Sequence, residues 1–271
     1  MIAKVLITVK TYPTISAKYE ELVCTAGFRE DGTWVRIYPI QFRQKPFEEQ
    51  YRKYEWIEID LEKNEQDFRP ESYRPRSMDA EIKIVGNIPP DSESWRERRA
   101  IVLKKVYTDL TALIAEAKDK TICTSLAVFK PKEVLSVEAE DTEREWSKEK
   151  LDALRQYNIF ADTSSGAKSQ VVRKLPYKFS YSFLDEKNRK ATLMIEDWEL
   201  GQLYWNCLAQ REGDENKACR DVQNKYFEEL AKKRDLFLFL GTTKQYHFVA
   251  PNPFVVVGTF YPKPETQFSL F

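Results

Sequence analysis

The chain has 271 residues, enough for one large domain or two small ones, and its 42% hydrophobic and 13% aromatic content excludes a disordered chain. Lys plus Arg and Asp plus Glu both number 43, so net charge points to no nucleic-acid partner and any such surface has to be a local patch. The first ten residues lack the long apolar run of a signal peptide and no stretch reaches bilayer length, so a cytoplasmic protein with no membrane partner is expected.

Residues 1 to about 90 read as strands. Val5, Ile7 and Val9 alternate with polar neighbours, and Leu22 to Phe28 leads into Glu30-Asp31-Gly32-Thr33. Asp-Gly between two apolar runs is a strong hairpin signal. The next strand, Trp34 to Tyr38, is expected to end at Pro39; a period of two puts Val35 and Ile37 on one face and Trp34, Arg36 and Tyr38 on the other. Trp56 to Leu61 and Glu81 to Val85 alternate as cleanly, which predicts that their Ile and Leu residues share one core in a small barrel or sandwich. A helix is expected after Pro89-Pro90 with Asp91 or Ser92 as cap, and a second, capped at Thr108-Asp109, through Ile114 to about Lys118.

A boundary is placed at Asp119-Lys120, followed by strands over Thr121 to Phe129 and Val134 to Val137. Cys24-Thr25-Ala26 and Cys123-Thr124-Ser125 hint at a duplicated barrel. Glu143 to about Tyr157 reads as a charged helix, Asp162 to Ser169 as a polar loop, and Tyr177 to Leu184 with Ala191 to Ile195 as a hairpin. Leu200, Leu203, Tyr204, Cys207 and Leu208 recur at helical spacing, as do Cys219, Val222, Tyr226 and Leu230, with Gly213-Asp214 between. Leu236 to Leu240 and Phe254 to Phe260 read as buried closing strands. The fold class is therefore α+β: two small β-barrel-like (OB-like) units with helical insertions, over residues 1–120 and 121–262, and a flexible tail at 263–271.

Cys24, Cys123, Cys207 and Cys219 lack Cys-x-x-Cys spacing and His247 is the only histidine, so a zinc site, a Ser-His-Asp triad or a disulfide framework is not expected, and neither is a cofactor. For nucleic acid the required combination is rings for base faces and cations for phosphates. Trp34, Arg36 and Tyr38 supply it on one strand face, with Arg43 beside them and Arg96, Arg98 and Arg99 as a second basic group; packing against the second unit is the competing use of that face. Arg52, Lys53, Arg74 and Arg76, interleaved with Phe42, Tyr51, Tyr54 and Tyr73, extend the set. The acids Glu196, Asp197 and Glu199, with Asp185 and Glu186 on the preceding hairpin, are the only constellation for a metal-dependent nuclease or nucleotide-acting enzyme, and helix capping explains them more simply. His247, in the loop Gly241 to Phe248, reads as a satisfied loop histidine.

Two resemblances add to this. Thr25-Ala26-Gly27, Asp31 to Arg36 and Tyr38-Pro39 resemble the start of uncharacterised bacterial proteins described as dual OB-containing, which implies OB-like barrels and nucleic-acid association and carries no catalytic residue. After the extended Pro262 to Thr266, the terminal Gln267-Phe268-Ser269-Leu270-Phe271 resembles the bacterial sliding-clamp-binding motif, roughly Gln-Leu-Ser/Asp-Leu-Phe, with Phe268 in place of the usual Leu. That resemblance implies the DNA polymerase sliding clamp as a partner, so a binding protein for DNA, single-stranded by preference, tethered to the clamp in replication, repair or phage defence is expected. A protein-interaction module is the remaining alternative.

Overall fold

A computed structural model describes residues 1–16, 20–91, 94–152, 154 and 171–264. Strand β1 (Ile2–Lys10) is long and serves two neighbours. Its first half pairs with β5 (Glu55–Lys63) and its second with β3 (Glu20–Phe28), whose start also carries the short β2 (Thr14–Ser16), and a shift of register between Ile7 and Val9 lets β1 bend from one to the other. The chain then turns through Asp31-Gly32 as expected, Arg29 N–H donating to Thr33 O at 2.9 Å, into β4 (Trp34–Ile40). β4 runs parallel to β6 (Ser72–Pro75), and β6 returns antiparallel to β5, closing a five-stranded barrel in the order β1-β3-β4-β6-β5. A three-strand meander closed by a parallel pair is the connectivity of the OB fold.

Val5, Ile7, Val35, Ile37, Ile57 and Leu61 fill this barrel, each fully buried, as their alternation predicts. Two boundaries differ from the reading of the sequence. β4 continues over the cis Tyr38–Pro39 bond to Ile40, because its parallel partner reaches only Arg36 and Ile37 and asks Pro39 for no N–H. The strand read at Glu81 to Val85 is β7 (Lys83–Asn87), which lies outside the barrel on β5; Ile82 is in the core but Ile84 is exposed.

The second unit repeats the plan. β8 (Val106–Tyr107) lies parallel to β9 (Leu126–Phe129), β9 pairs with β13 (Phe237–Thr242), and β13 with β14 (Phe254–Phe260). β10 (Glu133–Asp141), β11 (Tyr177–Leu184) and β12 (Lys190–Met194) form the other sheet, and a parallel bridge from Ile195 to Val256 joins the two. β9 and β10, separated by a bend at Lys132, act as one strand: the first part faces β13, the second β11. The unit is thus a second OB-like barrel, more open than the first. The Cys-Thr-small triplets do not mark the duplication, since Cys24 lies in the second barrel strand of its unit while Cys123 precedes the first.

Helix α1 (Arg96–Val102) follows Trp95, and Asp91 accepts its first N–H at 2.9 Å; Ser92 is outside the described residues. α2 (Leu110–Lys118) is capped by Asp109, which accepts from Thr111 and Ala112 N–H. Its Leu110, Leu113 and Ala117 enter the second core, so the units meet near residue 105 and not at 120. The charged helix expected from Glu143 begins only at 148, and its later part and the Asp162 to Ser169 loop lie outside the described residues. α3 (Trp198–Gln210) and α4 (Glu215–Asn224), continued as a π-helical turn over Lys225–Ala231, form the insertion between β12 and β13. All four cysteines are free, and among the described residues no helix is long and apolar enough to cross a membrane.

A third apolar cluster joins the barrels: Leu6, Val9 and Phe28 from the first meet Val128, Phe239 and Phe260 from the second. The end of β1 carries the contact onward. Thr11 bridges Asp197, Tyr12 N–H donates to Glu196 O at 2.9 Å, and the Tyr12 ring lies directly over Gly201 of α3.

Candidate nucleic-acid interface

Trp34, Arg36 and Tyr38 do point outward from β4, but what they meet differs along the strand. Trp34 packs on Phe28 (3.9 Å between ring centroids) and edge-on to Phe239 of the second unit. Arg36, 4% exposed, donates to Thr242 O at 2.9 Å, Ser125 O at 3.0 Å and Ser125 Oγ at 2.9 Å, all across the interface. Arg36 is buried, Trp34 is half-buried with part of its surface on the cleft described below, and Tyr38 is exposed, so much of this face is used to dock the second barrel. The other expected cations are dispersed. Arg43 pairs with Glu21 at 2.6 Å. Arg96 is exposed at the start of α1. Arg98 is buried, its guanidinium over the Tyr54 ring at 3.8 Å and bonded to Ile88 O, and Arg99 pairs with Asp235 at 3.0 Å. Arg74 and Arg76 pair with Glu62 and Asp60. Phe42, Tyr51 and Tyr54 are buried in or beside the first barrel.

A different set converges. Between the barrels lies a cleft of about 510 Å³, bounded by the Arg29 to Trp34 hairpin, Tyr73, Lys104-Lys105, Tyr107 and the approach to β9. Arg29 stands over the Tyr73 ring at 5.1 Å, with Lys63 on the same ring at 4.8 Å, and Lys105 stands over Tyr107 at 4.7 Å. Lys104 crosses the hairpin turn and donates to Glu30 O at 3.0 Å. Gly32 makes that crossing possible: it holds a φ of +82°, and a Cβ there would come within 2.4 Å of Lys104 Cδ. The carboxylates that share the cleft have partners. Asp31 accepts from the Thr33 hydroxyl and N–H, which hold its pKa below the usual range, and Glu71 accepts the Ser125 hydroxyl. Lys105 also pairs with Glu116 at 3.5 Å. The arrangement sets cations over two rings at one cleft, and rings and cations are the groups that single-stranded nucleic acid uses.

The acidic constellation does not converge. Asp185 caps its own turn, accepting from Lys187 and Arg189 N–H and from the Arg189 guanidinium. Glu186 accepts the Thr108 hydroxyl at 2.5 Å. Asp197 is the N-cap of α3 and, fully buried, pairs with Lys53 at 3.0 Å; Lys53 also reaches Glu199 at 2.8 Å. Burial pushes the Asp197 carboxyl up to about 6 despite the neighbouring ammonium, and burial likewise raises Glu196. Among the described residues no group of three or more His, Cys, Asp or Glu is placed to hold a metal ion. His247 is buried and satisfied: Nδ1 accepts the Thr242 hydroxyl and Nε2 donates to Ala117 O, each at 2.7 Å, while burial lowers its pKa.

Reading the sequence singled out Tyr73 but missed Arg29, Lys104, Lys105 and Tyr107. A trace was present in the Lys-Lys pair and in an arginine flanking the Asp-Gly turn. Nothing local, however, indicates that residues 29 and 105 line one cleft between the barrels. The clamp-like Gln267, Phe268, Ser269, Leu270 and Phe271 lie outside the described residues.

A comparison with curated proteins finds no match. Residues 1–104 match the family model described as Domain of unknown function (DUF8758), which agrees with a first unit ending just before β8. Residues 107–271, more than half of the chain, match the model described as Domain of unknown function (DUF8757), and the protein belongs to that family.

Proposed function

We propose that this protein binds single-stranded nucleic acid in the cleft between its two barrels and is held at the sliding clamp by Gln267 to Phe271. The observation that carries the first part is the meeting of Tyr73 under Arg29 and Tyr107 under Lys105 in one cleft. Bases have π-faces of any sequence to lay on such rings, and phosphates take the cations. The tether rests on the resemblance of the terminal pentapeptide. With no net charge to attract DNA from a distance, a tether that raises local concentration makes a modest affinity sufficient. The nuclease alternative has little support, because its acids are engaged as caps and ion pairs.

A salt titration of a labelled single-stranded oligonucleotide, followed by fluorescence anisotropy, tests the binding. If Arg29, Lys104 and Lys105 neutralise phosphates, the log–log slope is about −2, and affinity falls roughly 20-fold between 50 and 200 mM salt. Replacing Arg29 and Lys105 by alanine together should flatten the slope to about −0.7. Binding indifferent to salt and to both substitutions contradicts the proposal.

A further inference from the structure

Phe68 and Phe248 occupy corresponding loops. Phe68 lies between the fourth and fifth strands of the first barrel, β5 and β6, and Phe248 between β13 and β14 of the second. Their rings stack, 4.9 Å between centroids and 27° between planes, yet they stay 46% and 37% exposed. Two loops from different barrels thus bring a pair of aromatic rings together in water.

The pair is held firmly from below. His247 stands edge-on to both rings, at 5.3 and 4.6 Å, and its two nitrogens are fixed by Thr242 and Ala117. The Thr242 carbonyl accepts from the guanidinium groups of both Arg36 and Arg69, and Asp67 locks Arg69 through Nε at 2.8 Å. Lys118 donates to the carbonyl oxygens of Phe248 and Ala250. A buried network of two arginines and a histidine that fixes two exposed rings is the support a preorganised stacking surface needs. Folding alone gives no reason to hold these rings in solvent.

Continuity and charge indicate the occupant. Pro70 and Ile122 line the cleft; Phe68 is two residues from the first, and Cys123, which touches His247 at 3.4 Å, is adjacent to the second. Lys244 is exposed on the Phe248 loop and Lys120 is exposed just before Ile122. The two ring-bearing loops are thus joined in the chain to segments that line the cleft, and each neighbourhood carries an exposed lysine.

We propose that the Phe68–Phe248 pair is a base-stacking platform for the unpaired nucleic-acid strand held in the cleft, so that one strand spans both barrels. This rests on the cleft reading. Oligonucleotides carrying a single 2-aminopurine at successive positions separate the two claims. The wild-type protein is expected to quench the probe at one end of the bound stretch. Phe68→Ala and Phe248→Ala should each weaken binding about 5- to 150-fold and abolish that end quenching, while Phe248→Tyr restores both. Lys244→Glu, at an exposed position, should weaken binding without disturbing the fold, which keeps the test valid if an alanine variant is unstable. Wild-type binding that responds to Arg29→Ala but not to Phe68→Ala, Phe248→Ala or Lys244→Glu overturns the platform and leaves the cleft standing. Self-association lost on Phe68→Ala, with strand binding unchanged, also overturns it. Absence of wild-type binding removes both.

Discussion

Asp67 is the residue that gives the loop under Phe68 its shape. Burial alone would raise its carboxyl, but hydrogen bonds and charge from Arg69, the Arg69 N–H and the Ser72 hydroxyl at 2.9 Å outweigh it and hold the pKa at about 2. An acid depressed in the folded state contributes stability above its unfolded pKa near 3.8 and loses it as pH falls through the folded value. About 1–2 kcal/mol should therefore disappear between pH 4 and 2. Asp67→Asn should be less stable than wild type at pH 7 and equal to it near pH 2, as urea unfolding at the two pH values will show. Equal stability at pH 7 would remove Asp67 from this role. The residue scale is also where the sequence was least legible. Alternation correctly turned Trp34, Arg36 and Tyr38 to one side of their strand, because the side-chain period of a strand is geometric. It carries no information on whether that side meets water or a second barrel: Arg36 meets the barrel, and Trp34 is shared between the barrel and the cleft.

Strands and helices were far more readable, since each writes its own period of apolar residues into the local sequence. β11, β12, β14 and the α3–α4 insertion stand close to where periodicity and turn residues placed them, and Asp109 caps α2 as expected. Misplaced elements were those whose limits depend on distant partners, such as β7 riding outside the barrel. One helix position shows how contact overrides propensity. Gly201 lies inside α3, where alanine is ordinarily better by about 1 kcal/mol. A Cβ there would sit 2.2 Å from the Tyr12 ring, which itself is held by Trp205 Nε1 at 2.8 Å. The clash should win. Gly201→Ala is predicted to destabilise by about 1–3 kcal/mol and to open the junction between β1 and α3 to limited proteolysis. A gain in melting temperature would mean that the Tyr12 contact yields easily.

At the scale of the whole molecule, two barrels of the same connectivity share an apolar seam, and that seam buries the first barrel's outward face while leaving a cleft beside it. Fold class was legible because strand number, hairpins and inserted helices all appear in local pattern. The cleft was not, because it exists only once residues far apart in sequence are docked. The C-terminal pentapeptide makes a separate claim. Pull-down with the intact chain should retain the sliding clamp, and a chain lacking Gln267 to Phe271 should lose it while still binding single strands; identical partner sets without the clamp would end the tether. The central claim, that a strand lies between the barrels, is tested most directly by photo-crosslinking an oligonucleotide containing 4-thiothymidine and mapping the adducts by mass spectrometry. Adducts concentrated on Trp34, Tyr73 and Tyr107, and lost in the Arg29→Ala, Lys105→Ala double variant, are the predicted result. Adducts confined to other surfaces, or unchanged in that variant, would contradict it.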